Sequence, residues 1–210
     1  MERPTVQCCI LLLVILRIGV CMVSSSCYPR ATPFTLRFQA ANYEIIGDEK
    51  TMAIECDGVD DEGDVPVKQI LDMSELHFVI ADDLETLYYS GDIKLLMDIP
   101  QTPITIEVDV FRWVRSQWLP TPLSIRRDNF CKALLDPWEF WHPVVKEIPK
   151  AQLKCPPNRG HIYSLRNISN HLFVNNMPSV DIAGDLKAVV HLSSGRHKTC
   201  VVIFVKVYAN

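Results

Sequence analysis

The chain has 210 residues, 21 Lys and Arg against 25 Asp and Glu, a formal net charge of −4 at pH 7, and 48% hydrophobic residues. Mild acidity without a basic stripe argues against nucleic-acid binding and against docking driven by anionic lipid headgroups. The length suits one domain with a real core.

At the N-terminus, Arg3 precedes a run from Cys8 to Val23 that is apolar except for Arg17 and a glycine, and Ser24, Ser25 and Ser26 follow. A basic start, an apolar middle and a small-residue end form the pattern of a cleaved secretory signal peptide. The run is short for a membrane span, and Arg17 would sit at bilayer depth. The expectation is that residues 1–26 are removed and residues 27–210 form a single secreted, extracellular domain. Loss of Glu2, Arg3 and Arg17 moves the formal charge from −4 to −5.

Short strands are expected next, at Phe34–Gln39, Tyr43–Ile46, Met52–Cys56, Val65–Ile70, His77–Ile80, Leu87–Ser90 and Ile93–Met97. Turn clusters at Gly47-Asp48-Glu49, Asp57–Asp64 and Ser90-Gly91-Asp92 separate them. The clearest periodicity comes later. Ile104, Ile106, Val108 and Val110 alternate with Thr105, Glu107 and Asp109, as in a strand with one face buried and one wet. Asp128 can cap one short helix carrying Phe130, Leu134 and Leu135, which Asp136-Pro137 stops. A proline-rich, irregular segment follows to Pro157. Leu186, Ala188, Val190 and Leu192 repeat the period-two pattern, Ser193 to Arg196 makes a turn, and Thr199–Tyr208 returns as the second arm of a hairpin. Many short strands and one short helix predict an all-β fold, an antiparallel sandwich or barrel.

Past the signal, five cysteines remain: Cys27, Cys56, Cys131, Cys155 and Cys200. In a secreted chain the inner four make two bridges with three possible connectivities, and Cys27 is left over. No CxxC and no His at ligand spacing from a Cys suggests zinc. Read from Asp60, the acidic stretch Asp57–Asp64 alternates carboxylates at Asp60, Glu62 and Asp64 but lacks the glycine a calcium loop needs at its sixth position, with Pro66 following instead. No metal or cofactor is expected. Neither G-x-S-x-G nor H-E-x-x-H occurs, and no histidine forms a motif with a nearby nucleophile, so no enzyme is indicated. Asn167-Ile168-Ser169 is the only glycosylation sequon and marks Asn167 as an exposed acceptor.

What remains is an aromatic surplus. All four tryptophans fall between Trp113 and Trp141, and "DPWEFWHP" packs Trp138, Phe140 and Trp141 between Pro137 and Pro143. One reading makes Trp113 and Trp118 ordinary sheet residues and has Trp138 and Trp141 plug one end of a sandwich. The other makes the irregular segment the mouth of an apolar pocket between two sheets.

The order of "DNFCKALLDPWEFW", "CPPNRGHIYSL" and "DIAGDLKAVVHLSSGRHKTCVVIFVKVY" resembles the lysosomal ganglioside-activator proteins. With "DMSEL" and "WLPTPLSI" added, the chain is more closely similar to the insect chemosensory protein family B (CheB), secreted relatives of that activator. The resemblance runs from about Cys56 to the C-terminus. It implies a β-sandwich or β-cup with an apolar, lipid-accommodating cavity. It also implies disulfides Cys56–Cys200 and Cys131–Cys155. The activator's further cysteine pairs have no counterparts here, so its glycolipid preference does not carry over. The implied function is binding without catalysis, of a lipid or a cuticular-hydrocarbon pheromone, in gustatory or pheromone detection. The cavity candidates are Ile104, Ile106, Val108, Val110, Leu186, Val190 and Leu192 as walls, with Trp138, Phe140 and Trp141 at the mouth. Expected partners are a hydrophobic small molecule or lipid, a membrane surface, and a chemosensory receptor or channel, with no nucleic acid. Two rivals stand beside the soluble carrier: a membrane-touching glycolipid extractor, and a solid-core secreted module acting on a receptor or channel.

Overall fold

Two antiparallel sheets face each other as a β-sandwich. The computed structural model describes residues 40–48, 54–56, 64–178 and 182–209. The signal segment, Cys27, the expected strand Phe34–Gln39 and nearly all of the Asp57–Asp64 loop lie outside the described residues. The large sheet has the order β7-β6-β10-β11-β1-β9, with β2 also on β11. Its strands are β1 Ala40–Gly47, β2 Ile54–Glu55, β6 Thr105–Val114, β7 Gln117–Arg127, β9 His171–Pro178, β10 Gly184–Ser194 and β11 His197–Ala209. The small sheet has the order β3-β5-β4, with β8 also paired to β5. Its strands are β3 Leu71–Asp72, β4 His77–Ile80, β5 Leu87–Leu95 and β8 Ile162–Ser169.

The period-two segments form the centre of the large sheet. Val108 stands opposite Val190, and Val190 opposite Val201, so one face of β6, β10 and β11 is a continuous apolar stripe. Ile106, Val108, Val190 and Val201 are buried there with Val67. Tyr43, Ile182, Leu186 and Val207 extend the core toward β1, and Leu87, Tyr89, Leu165 and Ile168 form the core of the small sheet. The β10–β11 hairpin closes at Ser194↔His197 around Gly195, whose φ of 60° suits a two-residue turn.

Several expectations are corrected. Val65–Ile70 is no strand; Val67–Ile70 is one helical turn, α1, entered from Pro66. Ser90-Gly91-Asp92 is no turn between two strands, because β5 runs through it. Gly91 sits at a register irregularity with φ 130°, where a Cβ would meet the Glu75 carbonyl oxygen at 2.1 Å. Glycine is needed there for close backbone approach, as at a bulge. The expected helix is shorter: α2 spans Phe130–Ala133, and Asn129 caps it by accepting from the Lys132 N–H. Asp128 instead pairs with Arg126 at 2.9 Å. The segment read as irregular contains a third helical turn, α3 His142–Val145, and a 3-10 turn Lys150–Gln152.

Four strands were not foreseen: β3, β7, β8 and β9. β7 contains Pro120 and Pro122, and it is tolerated because β7 is an edge strand with one side unpaired. Its turn, Arg115-Ser116, has positive φ at both residues, 48° and 64°, without the glycine or asparagine that usually marks such a hairpin. β8 and β9 are one chain segment that changes sheets at Asn170. The disulfides are Cys56–Cys200 and Cys131–Cys155, the pairing the family resemblance implies.

Candidate functional site

A cleft of about 580 Å³ opens at the end of the large sheet where β1 stops and β6 turns into β7. Its floor is aromatic. Trp113 and Trp118 are register partners across the β6–β7 hairpin, with ring centroids 5.0 Å apart. Trp118 also packs on Phe204 of β11 at 5.5 Å. Ile46 of β1 stands beside them, opposite Lys206.

The facing wall is the tip of the β4–β5 hairpin, which supplies Ile80, Leu84, Glu85 and Leu87. This tip keeps its apolar groups in water: Leu84 is 81% exposed and Ile80 50%. Leaving them wet costs free energy that a ligand can recover. The tip is nonetheless held in shape. Asp83 accepts from the Thr86 hydroxyl at 2.6 Å, and from the backbone N–H groups of Thr86 and Glu85 at 2.8 and 2.9 Å. Those bonds, the Thr86 hydroxyl foremost, lower the Asp83 pKa from 3.8 to about 2. The sign follows: the contribution to stability is complete above the ordinary carboxylate pKa and is lost as pH falls through about 2. An NMR titration of Asp83 is expected to show its midpoint near 2, with the tip intact throughout the mildly acidic range. A midpoint at the ordinary value would show the turn unformed in solution.

At the back of the cleft, Asn170 joins the two sheets. Its N–H donates to the Leu87 carbonyl and its carbonyl accepts from the Gly47 N–H, both at 2.9 Å. Its side chain accepts from the Leu87 N–H at 2.9 Å and donates to the Gly47 carbonyl at 3.2 Å. Asp48, Glu85, Asp185 and Lys206 also line the cleft.

The sequence-derived cavity residues go elsewhere, apart from Leu186, which lines the cleft. Ile106, Val108 and Val190 are buried in the core, with Val110 and Leu192 packed against it. Ile104 is half-buried, and its carbonyl accepts from the Phe130 N–H at 2.7 Å. The aromatic run is split. Trp141 packs on Phe130 and Phe140, at 5.1 and 4.8 Å, against the core, and its Nε1–H donates to the Ala133 carbonyl. Phe140 is 41% exposed and Trp138 is 93% exposed. The buried Glu139 between them takes a two-point grip on Arg127, at 2.5 and 3.2 Å, and fixes which ring points inward. None of the three lines the cleft. Trp141→Ala is expected to destabilise the fold by about 3 kcal/mol, as for a truncated core aromatic, measured by urea denaturation, and to leave ligand affinity of the folded fraction unchanged.

Sequence reasoning passed over Trp113, Trp118 and Phe204 as a site. The available signal was the placement of Trp113 and Trp118 at matched distances from Arg115-Ser116, which makes them cross-strand partners once that pair is seen as a turn. Asn167 is exposed, on β8, with φ 55°. Among the described residues, no group of three or more His, Cys, Asp or Glu could hold a metal ion, and no helix is long and apolar enough to cross a membrane.

These features define an antiparallel two-sheet β protein with an open apolar cleft. No protein-family model matches the chain, and no curated protein is similar to it. Among solved structures, a Niemann-Pick type C2 protein from Japanese carpenter ant is similar at 15% identity over 72% of this chain and 96% of that chain, with a TM-score of 0.28. At that score the similarity carries no argument.

Proposed function

We propose that the protein is a secreted, non-enzymatic binder of hydrophobic ligands, a lipid or a cuticular-hydrocarbon pheromone, serving gustatory or pheromone detection through a chemosensory receptor or channel. The observation that carries the binding is the cleft of about 580 Å³ with an aromatic floor and an apolar tip left wet. That volume lies within the range of small-molecule sites, roughly 300–1,000 Å³. Each methylene desolvated there contributes about 0.8 kcal/mol, so a long chain binds with little polar help. Two disulfides fit an oxidising compartment, as does the signal-like N-terminus, and Asn167 is exposed where a glycan could be attached. The chemosensory setting rests on the family resemblance alone.

Native mass spectrometry of the protein secreted from insect cells, followed by organic extraction, tests this. Added mass that extracts as a fatty or hydrocarbon molecule is the expected result. A bare protein that takes up no long-chain ligand would reject the reading in favour of a solid-core module. Leu84→Asp is expected to weaken uptake about tenfold or more, because a charge replaces a desolvated contact worth about 1.5–3 kcal/mol, while leaving the urea midpoint unchanged.

A second reading is favoured by Trp138, 93% exposed beside Leu135 at 58%. An exposed tryptophan on a fixed projection suits the membrane–water interface, as a lipid extractor requires. Co-sedimentation with phosphatidylcholine vesicles, lost in Trp138→Ala, would support the extractor; no co-sedimentation leaves the soluble carrier.

A further inference from the structure

We propose that the cleft selects amphiphilic cations, molecules with a hydrocarbon chain ended by an ammonium or quaternary ammonium group. This rests on the reading of the cleft as a hydrophobic-ligand site and specifies the ligand's polar end.

The argument starts from charge. Among the described residues, Asp48, Glu85 and Asp185 line the cleft with Lys206, and the Lys187 ammonium stands beside its floor, 5.3 Å from the Trp118 ring. A site for plain hydrocarbons gains nothing from the carboxylates of Glu85 and Asp185, and a fatty-acid headgroup would be repelled by them. The carboxylates of Glu85 and Asp185 have no ion-pair or hydrogen-bond partner among the described residues. Lys206, although the register partner of Asp185, lies over the Tyr208 ring at 5.6 Å. Two acceptors are therefore left for a ligand's positive group.

The aromatic floor points the same way. A cation held against an aromatic face is attracted by the ring's quadrupole, most strongly by Trp. The protein already uses this floor so: the Lys187 ammonium stands 4.9 Å from the Phe111 ring and 5.3 Å from that of Trp118. Asp185 and Trp113 are the next positions along β10 and β6 beyond the pair Leu186↔Arg112. A carboxylate and a tryptophan 43% exposed thus both line the cleft where the β10–β6 ladder ends. Acid next to open tryptophan is the chemistry that recognises alkylated ammonium groups. Leu84 and Ile80 supply the surface for the chain.

The test uses the full secreted chain and three twelve-carbon probes below their micellar concentrations: dodecyltrimethylammonium, dodecanol and dodecanoate. Binding is read from tryptophan fluorescence and checked by equilibrium dialysis. The ammonium probe is expected to bind about tenfold more tightly than dodecanol, and dodecanoate most weakly. In the double variant Glu85→Gln, Asp185→Asn the ratio of ammonium to dodecanol affinity should fall to about one. Equal affinity for ammonium and alcohol overturns the cation preference and leaves the hydrophobic-ligand reading standing. Tightest binding of dodecanoate overturns the preference in favour of Lys206 as the anchor. Binding of none of the three overturns both. An ammonium preference that survives in the double variant also overturns the assignment, because the two carboxylates would then not be its source.

Discussion

Replacing Cys56 and Cys200 together by alanine is expected to destabilise the protein by about 4–5 kcal/mol, the upper end of what losing one native disulfide does. The two residues are 144 apart in the chain, against 24 for Cys131 and Cys155. In the loop-entropy relation, the longer closure restricts the unfolded chain by about 5 kcal/mol and the shorter by about 3.5 kcal/mol. The bond also acts in the folded state. β2 is two residues long and holds β11 through two register pairs, Glu55↔Val201 and Ile54↔Val202. Ladder bonds this few do not keep a strand in place unaided. Cys200 is buried in β11, next to core residue Val201, so the bridge anchors β2 directly to the central strands. Urea denaturation of the wild type and of each double-alanine variant measures both losses. A smaller loss for Cys56/Cys200 than for Cys131/Cys155 would show that the long bridge spans a segment already ordered in the unfolded chain.

The sequence foretells the fold best where one face of a strand is buried and the other wet. β6 and β10 meet that condition, and their alternation marks both; β11 is marked instead by its run of Val and Ile after the turn at Ser193 to Arg196. β7 escaped because prolines argue against a central strand, and its edge position depends on strand order, which no local pattern encodes. β5 was cut in two at Gly91 because a glycine that admits the Glu75 backbone looks like a glycine that turns the chain. The site was less legible for the same kind of reason. "DPWEFWHP" looks like the mouth of a pocket by composition, yet the Arg127–Glu139 pair decides that Trp141 faces the core and Trp138 the solvent. Arg127 is 12 residues from Glu139 and lies on another element. Trp113 and Trp118 become a floor only because the β4–β5 tip reaches across to them, a long-range fact of topology. The cysteine pairing came from resemblance, since spacing left three choices open.

Asn170→Ala is expected to damage stability and binding together, in contrast to Trp141→Ala, which should affect stability alone. Asn170 is where the chain leaves β8 in the small sheet and enters β9 in the large one. It is buried, and its side chain spans the gap between sheets by accepting from the Leu87 N–H and donating to the Gly47 carbonyl. Both partners line the cleft, one on each wall. Truncation leaves a backbone donor and a backbone acceptor without partners, each at about 1–3 kcal/mol when buried, for a total of about 2–6 kcal/mol. No other residue can substitute easily. Aspartate keeps the acceptor for Leu87 but loses the donor and sets a carboxylate oxygen against the Gly47 carbonyl; serine is too short for both. Because β5 carries the tip with Leu84 and Glu85, loosening the Leu87 bond also frees the wall that closes on a ligand. The expected signature in hydrogen exchange is faster exchange at the Leu87 and Gly47 amides, ahead of the β10–β11 core. Dodecanol affinity should fall in the fraction that remains folded. A variant that loses less than about 1 kcal/mol and binds normally would mean that the sheets are joined by packing of Tyr43 and Leu186, and that Asn170 merely fills the corner.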